Sequence, residues 1–271
     1  MNAPATHSDS AGRGELVVAA AQIVSSHDPV ANLGLVHEWT ARAAAAGADL
    51  VVFPEATMAC FGTRLREIAE PLDGPFAEGV RVAARAHGVT VVVGMFEPAD
   101  DGRVHNTLLA VGPRVEGGEA AYRKIHLYDA FGSRESAVVC PGEELVTFRM
   151  EGVTIGLATC FDVRFAEQFT ALGRAGAQVV CLPTSWGDGP GKAEQWDLLT
   201  RARAMDAQAW VAAAGQAWVA GQGTEPLGIG RSCVVDPVGV VRARLGAAEG
   251  LLVTSVALDL VAATRARIPI L

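Results

Sequence analysis

The sequence predicts an α/β layered domain, and three observations carry that prediction. Short runs of apolar residues alternate with longer segments whose apolar residues recur at helical spacing, in both halves of the chain. The strand-like runs are apolar on both faces, as strands covered by helices are. Several of them are joined by Gly-containing turns too short for a crossover, so hairpins mix with βαβ units.

Residues 1–14, MNAPATHSDSAGRG, are small and polar and lack the apolar stretch of a signal peptide. They read as a disordered extension ahead of one domain over 15–271. "ELVVAAAQI" at 15–23 reads as a buried strand. The next segment is a helix with Asp28 as N-cap and Pro29 at its first position; Val30, Leu33 and Val36 lie on its apolar face and Gly47 closes it. "LVVFPEA" at 50–56 is a short strand halted by Pro54, which has no N–H for a ladder. A helix over 74–87 leads into the strand "TVVVGMF" at 90–96.

"VHNTLLAVGP" (104–113) and "EAAYRKIH" (119–126) form a hairpin about Gly117 and Gly118, and "LVTFRM" with "VTIGLATC" a second about Glu151-Gly152. Phe165, Phe169 and Leu172 then recur at i, i+4 and i+7, which places a helix after Cys160. "QVVCLPTS" at 178–185 returns as a strand. A helix over 192–208 carries Leu198, Ala202, Met205 and Ala209 as its stripe, and the chain from "WVAAAGQ" to "LLVTSVAL" is nearly all strand. The tally is about ten strands and four helices, without a repeat or linker.

Half of the 271 residues are apolar, enough for a large core, and the formal net charge is −8. That balance offers no basic face for phosphates and argues against a nucleic-acid partner. No apolar run reaches the ~18 residues of a membrane span, so a cytoplasmic protein is expected. The five cysteines Cys60, Cys140, Cys160, Cys181 and Cys233 are scattered without C-x-x-C pairs, which fits neither a disulfide framework nor a zinc site.

Two glycine motifs fail on inspection. "GDGPGK" at 187–192 is followed by Ala193 where a phosphate loop needs Ser or Thr, and "GIGRSC" at 228–233 lacks the third glycine of a dinucleotide fingerprint. His126 could pair with Cys160 as a thiol-protease dyad, although a histidine near a strand end is ordinarily structural, and no supporting pattern accompanies it. Glu55, Lys124 and Cys160 are harder to set aside. Each stands at the end of an apolar run or at its exit, where layered α/β proteins gather their sites. A base, a cation and a thiol together suffice for acyl transfer.

"FPEAT", "YRKIHLYDAFGSRES" and "CFDVRF" resemble the three signature blocks of the nitrilase (carbon–nitrogen hydrolase) superfamily, in the family's order of Glu, Lys and Cys. The resemblance extends through "QWDLLTRARAMDAQAWVAAAGQ" and "GRSCVVDPVGVV", and its nearest branch is that of the Nit-type amidases, which include ω-amidase and deaminated glutathione amidase. It implies a four-layer αββα sandwich, a homodimer or larger homo-oligomer, a small-molecule amide as substrate, and no metal or organic cofactor. Residue by residue it makes Cys160 the nucleophile, Glu55 the general base, Lys124 the cation beside the carbonyl, and Glu135 a second pocket carboxylate orienting Lys124 or the substrate. Lys124 and the helix after Cys160 are expected to favour the thiolate. Lys124 and the backbone N–H of Phe161 are expected to hold the oxyanion.

Arg164 has two readings: an ion pair, with Asp162 as the obvious partner, or a fork for a substrate carboxylate. The family's Cys-Tyr-Asp reads Cys160-Phe161-Asp162 here, and its Arg-Phe-Pro-Glu reads Arg164-Phe165-Ala166-Glu167. The Nit branch's Thr-Gly-x-x-His-Trp is replaced by Gly191-Lys192-Ala193-Glu194-Gln195-Trp196, which leaves the specific amide open. A nitrilase or an N-carbamoyl amidohydrolase would use the same triad. A non-catalytic scaffold would have no need of it.

Overall fold

The computed structural model describes residues 14–220 and 228–271. The predicted disordered extension, Gly14 apart, lies outside the described residues. Two six-stranded sheets form the centre. The first has the order β12 (Gly250–Ala257), β1 (Glu15–Gln22), β2 (Leu50–Val52), β3 (Thr90–Pro98), β4 (Val104–Val111), β5 (Glu119–Arg123). The second runs β11 (Val241–Arg244), β10 (Cys233–Val235), β9 (Trp210–Gly215), β8 (Val179–Thr184), β7 (Val153–Leu157), β6 (Thr147–Met150). In each sheet three central strands are parallel, joined through helices, and the outer pairs are antiparallel.

Alternation along the strands builds the layers. Leu50 and Val52 of β2 face the second sheet and meet a core that includes Leu157, Val179 and Trp210. Val51 points the other way, into the cluster formed with α1 (Pro29–Ala45) and α3 (Pro75–His87). On the far side Val180, Leu182 and Val211 pack under α4 (Ala166–Arg174) and α5 (Lys192–Ala207). The outcome is the expected four-layer αββα sandwich, with a short α2 (Leu65–Ile68) and a C-terminal α6 (Asp259–Arg267) added.

Several expectations need correction. Asp28 does cap α1, accepting from the Val30 N–H at 2.9 Å, but Val30 is exposed and the buried face is Asn32, Val36, Trp39, Thr40 and Ala43. In α5 the predicted stripe is turned outward at Leu198 and Met205, while Trp196, Thr200, Ala204 and Ala207 are buried. The chain after Cys160 forms a five-residue 3₁₀ turn, Cys160–Arg164, and α4 starts only at Ala166, with Phe165 as its N-cap. The helix α6 was not anticipated.

Candidate active site

Glu55 leaves β2 through a tight turn rather than at the strand's end. Phe53 makes a last ladder bond to Val92 at 2.8 Å, Pro54 has no N–H to continue it, and Ala56 adopts a left-handed φ of 56°. The turn presses on β3: a Cβ on Gly94 would stand 2.8 Å from the Ala56 nitrogen and 2.9 Å from the Glu55 Cα. Gln216, just after β9, donates from Nε2 to the Glu55 carbonyl at 3.0 Å. The Glu55 carboxylate is thereby delivered, fully buried, between the two sheets' ends.

Three donors converge on that carboxylate: Lys124 Nζ at 2.9 Å and Asn106 Nδ2 at 2.8 Å on Oε1, and the Ser185 N–H at 3.0 Å on Oε2. Lys124 follows β5, with its own N–H tied to the Asn106 carbonyl of β4 at 2.8 Å. Its ammonium also meets Glu135, at 3.1 and 2.9 Å from the two oxygens. Glu135 sits at the start of a 3₁₀ turn and accepts from the Tyr128 N–H at 2.6 Å. Burial by itself would strip Lys124 of its proton, but Glu55 and then Glu135 reverse this and hold the ammonium well above the usual lysine range.

Cys160 opens the 3₁₀ turn in a left-handed conformation, φ 46°, which a non-glycine residue keeps only when its surroundings enforce it. Asp162 supplies the enforcement. Fully buried, it accepts from the Thr159 N–H at 2.8 Å, Tyr122 Oη at 2.6 Å, the His126 N–H at 3.2 Å and His126 Nδ1 at 2.9 Å. A carboxylate in this state only accepts, so His126 carries its proton on Nδ1. The segment bearing the nucleophile candidate is thus bolted to the one that follows Lys124.

The Cys160 thiol faces the Ser185 carbonyl at 3.6 Å. Burial first, then the Glu55 carboxylate, pushes its pKa far up, and Lys124 offsets only part of the rise. Burial and Glu55 thus work against the ready thiolate expected from Lys124 and the helix. Two carboxylates surround one ammonium, so a thiolate would add charge to a cluster already negative, and a five-residue 3₁₀ turn has little dipole to compensate.

The cluster holds the predicted Glu55, Lys124, Cys160 and Glu135 together, with Phe161 and Arg164 on the 3₁₀ turn beside them. His126 does not pair with Cys160; it is taken by Asp162 and stacks on Phe165 at 3.5 Å between ring centres. Nor does Arg164 pair with Asp162. Its Nη2 donates to Gln195 Oε1 at 2.6 Å, its guanidinium lies 5.7 Å from the Phe161 ring centre and 5.1 Å from that of Trp186, and its buried Nε has no partner among the described residues. A depression of about 590 Å³ lined by His105, Arg123, Cys140 and Glu143 lies apart and includes none of the cluster.

The carbon–nitrogen hydrolase family model matches residues 17–266. The chain belongs to the carbon–nitrogen hydrolase family. It is 51% identical over 262 residues to a hydrolase of Mycobacterium tuberculosis, covering 94% of each chain. It is 32% identical over 262 residues to the deaminated glutathione amidase of Escherichia coli O157:H7, covering 94% of this chain and 96% of the other. Among solved structures it resembles Nit3 of Saccharomyces cerevisiae, a member of branch 10 of the nitrilase superfamily, with a TM-score of 0.83 at 26% identity and 95% of each chain covered.

In this hydrolase, sequence reasoning missed the residues that act on the cluster from behind. Asn106 bridges both carboxylates, with 3.2 Å to Glu135 Oε1, yet reads as one polar residue in a strand. Gln216 and Ser185 serve through a carbonyl contact and a backbone N–H, which leave no sequence signal. Asp162 did have a signal: Thr159-x-x-Asp162 is a capping box written across the nucleophile candidate.

Proposed function

We propose that this carbon–nitrogen hydrolase cleaves a small carboxylate-bearing amide through a thioester on Cys160, with release of ammonia. The observation that carries the reading is the buried contact of Glu55 with Lys124 beside the Cys160 thiol. With the thiol protonated in the free enzyme, attack and deprotonation are coupled: Sγ bonds to the amide carbon while Glu55 takes the thiol proton. The carbonyl oxygen gains negative charge, which in this reading Lys124 and the Phe161 N–H receive. Glu55 then returns the proton to nitrogen, the C–N bond breaks, and ammonia leaves a thioester. Water, losing its proton to Glu55, attacks the thioester, and the carboxylic acid departs as the thiol is restored.

Glu135 holds Lys124 as a second carboxylate, linked to Glu55 through Asn106, and keeps the ammonium charged between turnovers. Arg164 supports the carboxylate part of the reading. It is a half-buried cation whose fork is met, among the described residues, by one neutral oxygen, with its Nε left over.

The test is ammonia release from a panel of small amides, nitriles and N-carbamoyl acids, with Cys160→Ala beside the wild type. Turnover of a carboxylate-bearing amide that vanishes in the variant is the expected result. Carbon dioxide released with the ammonia, or consumption of a nitrile alone, would replace the amidase reading by one of its relatives. Full activity in Cys160→Ala would remove the mechanism.

A further inference from the structure

Two cations lie against one indole at this site. The Arg164 guanidinium is 5.1 Å from the Trp186 ring centre and the Lys192 ammonium is 5.4 Å from it. Lys192 is also 4.5 Å from the ring centre of Phe131 and 5.4 Å from that of Tyr128, whose hydroxyl accepts from its Nζ at 3.3 Å. Ring faces attract a cation and replace part of its hydration, but they take up none of its N–H bonds. An ammonium has three N–H donors and a guanidinium five. Among the described residues each cation gives a single hydrogen bond to an uncharged oxygen, Tyr128 Oη or Gln195 Oε1, and neither meets a carboxylate.

This surplus of donors lies next to Cys160. Trp186 follows Ser185, whose carbonyl faces the thiol at 3.6 Å, and the Phe161 ring that flanks Arg164 sits 5.1 Å from Tyr128. Beside the inner pair of carboxylates and their one ammonium stand two more cations that meet no carboxylate among the described residues. The two cations share Trp186, so they are separated by no more than the sum of their distances to it. A short carbon chain charged at both ends falls within that limit. One carboxylate gripped by the Arg164 fork would leave Lys192 unanswered.

We infer that Arg164 and Lys192 form a two-point anion subsite and that the substrate is an amide bearing two carboxylates. The inference rests on the amidase reading for its amide, but on the mouth alone for its two charges. It also gives a use to the "GPGK" loop, which reads from sequence as a failed phosphate motif: Trp186 Nε1 donates to the Lys192 carbonyl at 3.0 Å and fixes the residue at the first turn of α5.

The test separates the two claims by using one readout without turnover. Alkylation of Cys160 by iodoacetamide in the full chain is followed by mass spectrometry, with glutarate or its monomethyl ester as the protecting probe. Glutarate is expected to protect at a concentration about tenfold lower than the monoester, with the ratio narrowing as salt is raised. In Lys192→Met the ratio should fall to about one, and Lys192→Arg should restore most of it, which a merely structural lysine would not do. Equal protection by the two probes in the wild type, or a ratio indifferent to Lys192→Met, would overturn the subsite.

Turnover of glutaramate is then compared with that of 3-carboxyglutaramate, which differs only by the second carboxylate. A preference for the dianion that resides in KM, and that Lys192→Met abolishes, is the expected outcome. Selective protection without cleavage of either amide would sink the amidase reading and leave the subsite standing. Cleavage of glutaramate without selective protection would do the reverse.

Discussion

At the scale of single residues, the decisive feature is a nucleophile candidate that burial, and after it the carboxylate that is to deprotonate it, keep protonated. Glu55 both raises the Cys160 pKa and stands ready to receive its proton. Two consequences point in opposite directions. Glu55→Gln should reduce amide turnover by at least about 10³, since it removes the proton acceptor. The same change should lower the pH at which a small neutral thiol reagent alkylates Cys160, because a repelling charge is gone. If the alkylation profile moves up or stays fixed, the electrostatic account of this thiol is wrong. Lys124→Met leaves the buried Glu55 and the part-buried Glu135 without the cation between them. A loss of about 10²–10³ in kcat is expected from the oxyanion side alone, and circular dichroism must accompany the assay because an unpaired buried charge also costs stability.

The elements set the geometry through close approaches that tolerate no extra atom. β3 passes so near the Glu55 turn that Gly94→Ala would push backbone against backbone. The variant is expected to keep the fold yet lose about 10²-fold in kcat, because a misplacement near 1 Å is enough to do so. Unchanged kinetics would mean the turn can yield without moving the carboxylate. The 3₁₀ turn depends similarly on Asp162, which satisfies four donors from three residues. Asp162→Ala leaves those donors buried without an acceptor, at a cost of about 3–5 kcal/mol, to be read from urea unfolding. A loss below about 1 kcal/mol would show that water replaces the carboxylate there.

For the whole molecule, the buried thiols make stability depend on alkaline pH. Cys160 and Cys181 are pushed far up by burial, and Cys233 to about 11. An unfolded thiol ionises near pH ~8.5, whereas these remain protonated in the folded chain. The folded state thus binds more protons above that pH. The thiol contribution is fully present below it and is lost as pH rises, at up to about 1.4 kcal/mol per unit for each thiol. Urea unfolding at pH 7.5 and 9.5 should show this decline, and Cys181→Ala should reduce its slope. A flat profile would mean the thiols ionise in place.

The sequence by itself determined the alternation of apolar strands and helices, the two Gly-marked hairpins, and the placing of Glu55, Lys124 and Cys160 where apolar runs end. Those features are local: periodicity, turn chemistry and the scarcity of reasons for a charge at a strand exit. Tertiary structure decided what depends on which surfaces meet. In α5 both Leu198–Ala202–Met205 and Trp196–Thr200–Ala204 satisfy helical spacing, and only the sheet beneath selects the second. His126 was free to partner Cys160 or Asp162 until the chain brought Asp162 beneath it. The charge state of Cys160 was beyond reach from sequence, because it is the balance of burial, one ammonium and two carboxylates drawn from separate segments. Lys192 stood out in sequence only as the end of a failed phosphate motif, since its setting is made by the Tyr128, Phe131 and Trp186 rings, two of them from a distant part of the chain.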